Sequence, residues 1–391
     1  MSRSPKRLSL QSSNPKKTDA RASGLYIHVP FCASKCPYCD FFSIASADMI
    51  AAWFASVCRE LDLYRERFER FETVYFGGGT PSLLSAQQLG SLMEHVRTRV
   101  RIATDAECTI EVNPDDLSSE KARALRDPGF NRLSIGVQSF DDRLLRFLQR
   151  RHTARQARDA FEHAAAAGFE NISLDLMYGL PEQDWQAELA QAISLQPGHV
   201  SCYQLTIKPG TPFFSMQQEG RLPAASEETL AQLFLLTDSL LAEAGYDHYE
   251  ISNYAREPGC EARHNSRYWQ HRPYLGLGPA AHSFDGEKRW WNIDSVPDYC
   301  SLISSGSLPV AGSEILTPDQ LRLERLMLGL RTSRGVARED VGAGGSTLAQ
   351  LEREGLITLH SGRIAPTPRG MLFADRLPLL LEDGVADNSA V

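Results

Sequence analysis

No stretch of the sequence approaches the ~18 consecutive apolar residues that a membrane-spanning helix requires, and no apolar core follows the N-terminal charges as in a secretory signal. A cytoplasmic protein is therefore expected. A large excess of one charge is missing too, since 41 Lys and Arg stand against 49 Asp and Glu, for a net charge of −8. That balance argues against an extended nucleic-acid interface. Composition gives no sign of disorder, collagen or coiled coil, because 42% of residues are apolar and 23% charged. A chain of 391 residues suits two or three domains, or one α/β barrel with an appendage. The exception to the acidic character is the N-terminus, where Arg3, Lys6, Arg7, Lys16, Lys17 and Arg21 face one acid, Asp19. Without the amphipathic apolar face of a transit peptide, residues 1–23 read as a disordered basic tail.

A disulfide framework is equally unexpected, because eight cysteines occur with no secretory signal. Cys58, Cys108, Cys202, Cys260 and Cys300 are scattered singly, as small core residues are. Cys32, Cys36 and Cys39 instead form a Cys-x3-Cys-x2-Cys run within HVPFCASKCPYCDFF. Structural zinc would need a fourth ligand, and His28 or Asp40 would supply it only at unfamiliar spacing. A [4Fe–4S] cluster has four irons, so three thiolates leave one iron open to a small molecule that chelates through an amine and a carboxylate. The iron–sulfur reading is preferred to zinc or a redox pair. In this loop the sequence resembles the radical S-adenosylmethionine (SAM) superfamily. The resemblance implies that the open iron holds the methionine end of SAM, and that an electron from the reduced cluster can split the sulfonium C–S bond to give a 5′-deoxyadenosyl radical. Tyr38, between the second and third cysteines, would then shield the cluster from water.

Apolar runs bounded by turn signals predict strands near 25–29, 74–76, 108–112, 133–137, 172–177 and 200–206. Helical spacing and Ser, Asp or Thr caps predict helices over 47–68, 85–100, 118–125, 141–148, 154–167 and 183–195. Alternation of this kind implies a parallel sheet, and six units are too few for a closed eight-fold barrel. The expected fold is α/β, a partial (β/α)6 radical-SAM barrel over 24–245, an α/β extension over 246–315 and a winged-helix-like α+β domain over 316–391. Several strands alternate, with Leu25, Ile27 and Val29 opposing Tyr26 and His28, and Cys108, Ile110 and Val112 opposing Thr109, Glu111 and Asn113. Leu133, Ile135 and Val137 oppose Ser134, Gly136 and Gln138, while Ile172, Leu174 and Leu176 oppose Ser173, Asp175 and Met177. A side-chain period of two puts the apolar phases on helices and the polar phases in a lumen. Glu111, Gln138 and Asp175 in that lumen suit the hydroxyls and amine of an adenosyl compound. FGGGTPS, with Gly77, Gly78 and Gly79, reads as a loop whose backbone approaches a ligand; it lacks the lysine of a phosphate loop.

YIHVPFC, FGGGTPS, EVNPDD, RLSIGVQSF, LQRRHT, DLMYGLP and YEISNYA follow in the order found in coproporphyrinogen dehydrogenases and HemW-type haem chaperones, and the resemblance runs from about Leu25 to the C-terminus. It implies that Cys32, Cys36 and Cys39 hold the cluster and that Tyr26, Gly78, Gly79, Thr80, Glu111, Gln138, Arg150 and Asp175 contact SAM. Two departures put decarboxylase activity in doubt: Phe41 stands where the dehydrogenases carry a fourth cysteine, and only 24 residues precede the first strand, where they carry a longer segment. In the other direction, RHNSRYW supplies His264, Asn265, Tyr268 and Trp269 in the HNxxYW pattern of the haem chaperones. An imidazole can ligate haem iron and aromatic rings can flank a porphyrin, yet the same residues could wedge a loop into the core. His264, His282 and Cys260 all stand as candidates for the axial ligand. The function this resemblance implies is a haem chaperone with haem as cargo and apo-haemoproteins as clients. It further implies a low-potential electron donor such as flavodoxin or ferredoxin, peripheral membrane association through clients, and a homodimer among the open oligomeric states. No nucleic-acid partner is expected, because the helix, hairpin and final helix after Thr317 carry no basic recognition stripe. An iron–sulfur sensor with a DNA-binding winged helix is the third reading.

Overall fold

The period-two patterning decides which way each strand faces in the structure, a computed structural model that describes residues 22–382. Strand β1 (Ala22–Val29) buries Leu25, Ile27 and Val29 against helix α1 (Ile50–Tyr64) and turns Tyr26 and His28 inward. The pattern recurs through β2 (Arg70–Gly78), β3 (Ile102–Val112), β4 (Arg132–Gln138), β5 (Asn171–Tyr178) and β6 (His199–Gln204). These strands pair in parallel in chain order, and helices α2 (Ala86–Arg99), α3 (Ser119–Arg126), α4 (Asp142–Phe147), α5 (Ala154–Ala166) and α6 (Trp185–Ser194) cover their outer face. Helix α1 begins at Ile50, later than predicted and with no side-chain cap, whereas α2 to α6 start behind capping side chains. Ser85 and Thr153 form capping boxes with Gln88 and Gln156, and Ser118, Asp141 and Asp184 accept from the first-turn amides of their helices.

After β6 the chain forms α7 (Pro212–Gln218), α8 (Glu227–Glu243) and the antiparallel pair β7 (Asp247–Glu250) and β8 (Asn253–Ala255), with β8 on β6. It then crosses to the opposite edge of the sheet through α9 (Arg263–Trp269), and β9 (Tyr274–Leu277) pairs in parallel with β1. Strands β10 (His282–Phe284), β11 (Lys288–Asn292) and β12 (Val310–Ile315), with α10 (Val296–Ser304) between the last two, extend that edge. The twelve-stranded sheet therefore holds seven consecutive parallel strands, one more than the six predicted, and the extension shares its apolar core with the barrel through Leu275, Leu277, Trp290, Tyr299 and Ile303. Buried Glu60 of α1 ties the two together. Its carboxylate accepts from the Gly278 amide (2.8 Å), the Asn292 amide group (2.7 Å) and the Tyr299 hydroxyl (2.6 Å).

A separate apolar core is formed by α11 (Pro318–Gly329), α12 (Gly345–Arg353), α14 (Leu377–Glu382) and the small antiparallel sheet of β13 (Val336–Ala337), β14 (Ile357–His360) and β15 (Arg363–Pro366), with α13 (Pro368–Met371) joining β15 to α14. No helix among the described residues is long and apolar enough to cross a membrane. The basic tail lies outside the described residues, except that Ala22 and Ser23 open β1.

Candidate cofactor site at the mouth of the barrel

Where parallel strands end, their last inward residues and the loops that follow converge, and ligands of such sheets sit there. The loop after β1 carries the three cysteines. Its two ends are tied together by Cys32 N–H to Ile44 O (3.0 Å) and Ile44 N–H to Pro30 O (2.8 Å). It is tied to the glycine loop by Gly79 N–H to Val29 O (2.8 Å) and Thr80 N–H to Phe31 O (2.7 Å). Glycine is required at both central positions. Gly78 has φ +113° and a side chain there would meet the His28 ring at 2.5 Å; at Gly79 a Cβ would lie 2.7 Å from Phe31 O and 3.0 Å from Cys32 Sγ. Helix α7 supports the loop from the far side, where Phe213 N–H bonds Pro37 O (3.0 Å) and the Phe213 ring packs on Tyr38.

Above the strand ends lies a cavity of about 520 Å³, within the range of small-molecule sites. Cys32, Cys36, Cys39, Tyr38, Gly78, Gly79, Thr80, Glu111, Gln138, Arg150 and Asp175 all line it, with Asn265 from α9. Tyr26 is absent from the lining; its hydroxyl bonds His28 Nδ1 (3.0 Å) and its ring stacks between neighbours below. The Thr80 hydroxyl donates to Cys32 Sγ (3.5 Å) and Arg150 Nη1 to Cys36 Sγ (3.6 Å). Arg150 is held by Asn113 Oδ1 (2.7 Å) and Gly136 O (2.9 Å), so it points into the cavity and forms no helix-surface ion pair. Burial raises the Glu111 carboxyl to about 7, against the pull of bonds from the Tyr75 hydroxyl (2.7 Å) and the Gly78 amide (3.1 Å). Burial raises Asp175 as well, while Ser134 (2.8 Å) and Ser173 (2.9 Å) donate to it. Gln138 ends β4 in the left-handed region, at φ 66°, after a register shift that re-aims it to accept from Tyr203.

This donor set fits a cluster better than a single metal ion. A mononuclear ion gathers its ligands around one point, whereas a cube takes one thiolate on each of three irons. Three thiols face one cavity, with the Thr80 hydroxyl at Cys32 and the Arg150 guanidinium at Cys36. The zinc alternative also loses its histidine, because His28 spends Nε2 on Phe42 O (2.9 Å) and Nδ1 on Tyr26.

Of the residues of the HNxxYW pattern only Asn265 lines this cavity; His264, Tyr268 and Trp269 lie below it, toward the other end of the strands. Helix α9 bridges the two edges of the open barrel and closes its floor, its first amides, of Arg263 and His264, both donating to buried Glu107 of β3 (2.9 Å each). His264 is 1% exposed, with Nδ1 on Thr73 Oγ1 and Nε2 on Tyr268 OH at 2.8 Å each, and its ring stacks on Tyr75 at 5.0 Å. Burial, reinforced by Arg267 and Arg132, lowers its pKa to about 3. Both nitrogens are thus engaged in this conformation. Trp269 lies beside buried Glu250, whose carboxyl burial raises to about 7. His282 is exposed on β10 and stacks on Trp291, and Cys260 lies against Gly198, so the three axial-ligand candidates occupy separate places. Sequence reasoning missed Tyr75, Ser201, Tyr203 and Asn253 in the cavity wall, whereas Asn113 and Ser134 stand there as their inward phases predict. Tyr75 was readable, since it shares the inward phase of Gly77 on β2.

Residues 26–193 match the Radical SAM superfamily and residues 316–373 the HemN C-terminal domain. The chain is 37% identical over 362 residues to the haem chaperone HemW of Mycobacterium tuberculosis, covering 90% of this chain and 93% of that protein. It is 35% identical over 368 residues to the haem chaperone HemW of Bacillus subtilis, covering 90% and 97%. The fold superimposes on the coproporphyrinogen III oxidase HemN of Escherichia coli, a radical SAM enzyme, with a TM-score of 0.78 and 24% identity over 93% of this chain and 90% of that one. Likeness of that extent along nearly the whole length of its relatives means that the chain belongs to the HemW family of radical SAM proteins.

Proposed function

We propose that the protein is a haem chaperone that binds haem and passes it to apo-haemoproteins, with a [4Fe–4S] cluster and SAM held at the mouth of the barrel. The observation that carries this reading is similarity over about nine-tenths of both chains to proteins named haem chaperones. Cys32, Cys36 and Cys39 would hold the cluster, which when bound supplies a single electron and one iron open to an amine and a carboxylate. Thr80 and Arg150 offset the charge of the thiolates at Cys32 and Cys36. Backbone groups of Gly78 and Gly79 would face the ligand in a loop so close-packed that a side chain at either position would meet His28, or Phe31 and Cys32. Glu111, fixed by Tyr75 and the Gly78 amide, keeps its remaining lone pairs for an ammonium, while Asp175 and Gln138 accept from ribose hydroxyls. Tyr38 and Phe213 limit water at the cysteine loop. A low-potential flavodoxin or ferredoxin would be the electron donor. Phe41, 66% exposed at the cavity, stands where a fourth cysteine would be needed for the decarboxylase resemblance, which disfavours that chemistry.

The test pairs two assays on one anaerobically reconstituted sample: haemin titration with transfer to an apo-haemoprotein, and incubation with dithionite, SAM and coproporphyrinogen III. A saturable Soret band and transfer are expected, with no turnover of the porphyrinogen. Catalytic formation of protoporphyrinogen would overturn the proposal. Cys36→Ser should remove the broad charge-transfer absorption near ~400 nm, because a cluster seldom survives on two thiolates; full iron content in that variant would sink the ligand assignment.

A further inference from the structure

The C-terminal domain carries a second cavity, a groove of about 850 Å³ between α12, α13 and α14. Its origin is legible in LPLLLE of α14. Leu377 and Leu381, one turn apart, fill the domain core, and Leu379 and Leu380 are left on the other side of a helix that is apolar all round. Leu379 is 60% exposed, Leu380 44% and neighbouring Phe373 39%. Single exposed leucines need no explanation, but three large apolar side chains lining one concavity mark a binding surface.

The rim of the groove is cationic. Arg353, Arg369 and Arg376 all line it, and each is exposed. No carboxylate neutralises them among the described residues: the guanidinium of Arg353 bonds only the Ala349 carbonyl (3.2 Å), and Arg369 and Arg376 form neither an ion pair nor a side-chain hydrogen bond. The single acid of the lining, Glu354, accepts from Gln350 (2.9 Å). A matching occupant has a broad apolar face and a pair of anionic groups a few ångströms apart. Haem has that form, a planar macrocycle with two propionates on one edge, and guanidinium forks take carboxylates bidentately. The residues around the groove offer no imidazole, thiolate or thioether to iron.

We propose that this groove is a docking site for haem that grips the porphyrin by its propionates and ring and leaves the iron free for a client's ligand. The inference rests on the reading of the protein as a haem carrier and deepens it by naming where, and by which atoms, the cargo is held. A grip without iron ligation also makes release compatible with transfer, because the client's imidazole or thiolate meets an uncommitted metal.

The test uses the full chain and two probes, haemin followed by its Soret band and metal-free protoporphyrin IX followed by fluorescence. Wild-type protein is expected to bind both, with affinity that falls as salt rises. The Arg369→Glu/Arg376→Glu variant, with an unchanged thermal midpoint, is expected to bind protoporphyrin IX roughly ten- to a hundred-fold more weakly, and the corresponding double lysine variant to lie between. Unchanged protoporphyrin affinity in the glutamate variant would overturn the assignment. So would wild-type protein that takes haemin but not protoporphyrin IX, since iron ligation would then be the grip. Cosedimentation with phosphatidylglycerol vesicles that the glutamate substitutions abolish, beside unaltered porphyrin binding, would assign the groove to a membrane surface. If wild-type protein binds no haemin at all, the carrier reading itself fails, whatever the groove does.

Discussion

Replacing His264 by glutamine tests whether the HNxxYW helix is the sealed floor that the structure describes. The imidazole is enclosed and neutral, with a pKa lowered to about 3 from an ordinary 6.5. In the unfolded chain it takes a proton near pH 6.5, and in the folded protein it does not. The depressed folded value means that the unfolded state binds the extra proton, so the stability this site contributes is complete above pH 6.5 and is lost as pH falls toward 3. Going from about pH 7.5 to about pH 5 traverses some 1.5 units of that window at 1.36 kcal/mol each, a loss of about 2 kcal/mol. Glutamine does not titrate, and its amide can satisfy one of the two partners of the ring. At neutral pH the variant should be destabilised by about 1–3 kcal/mol, the cost of leaving Thr73 or Tyr268 unpaired in a dry interior. The gap between the two proteins should then shrink by about 2 kcal/mol at the lower pH. Urea midpoints read by intrinsic fluorescence at both pH values measure it. A gap that stays constant would mean that His264 titrates normally in the folded protein and the floor is open to water.

Removing the Tyr75 hydroxyl (Tyr75→Phe) frees one oxygen of Glu111, and SAM affinity by calorimetry on reconstituted protein should weaken by about 1 kcal/mol, or some five-fold. Gly78→Ala forces a β-carbon into the His28 ring at positive φ, so SAM binding should be lost and the thermal midpoint should fall. Glu60→Gln places an NH2 among three donors and should cost about 3–5 kcal/mol, with faster proteolytic nicking between residues 270 and 300 as the extension loosens from α1; an unaltered cleavage rate would refute its role as the tie.

The barrel was legible because short-range rules suffice for it. All six predicted strands and their helices are present, and the inward phases of β3, β4 and β5 deliver Glu111, Gln138 and Asp175 to one cavity. Strand β9 was not legible. YLGL sits between Pro273 and Gly278 and reads as a loop, and its pairing with β1 joins segments about 250 residues apart, a contact that no local pattern encodes. Tyr26 shows the limit of reading by phase, since it points inward as predicted, yet its neighbours and not the cavity receive it. The environment of His264 was partly readable: on a helix the HNxxYW spacing puts His264 and Tyr268 one turn apart on the same face, which predicts their hydrogen bond. What hid was Thr73, a residue 191 positions away that takes the other nitrogen.

That second bond bears on how haem could ever reach His264. Ligation of iron by either nitrogen requires the ring to leave Thr73 or Tyr268, to unstack from Tyr75, and to open a floor that Glu107 pins through two amides of α9. Each buried partner left unpaired costs about 1–3 kcal/mol, so the iron–nitrogen bond must outweigh several such terms before the open state is populated. The Arg-rimmed groove requires no rearrangement, because its apolar wall and its guanidiniums already face solvent. Capture at the groove and ligation at the floor would therefore be successive events of different energetic character, the first limited by salt and the second by the opening of α9. A single Soret transition cannot distinguish them, but metal-free porphyrin can, because only the first event is available to it.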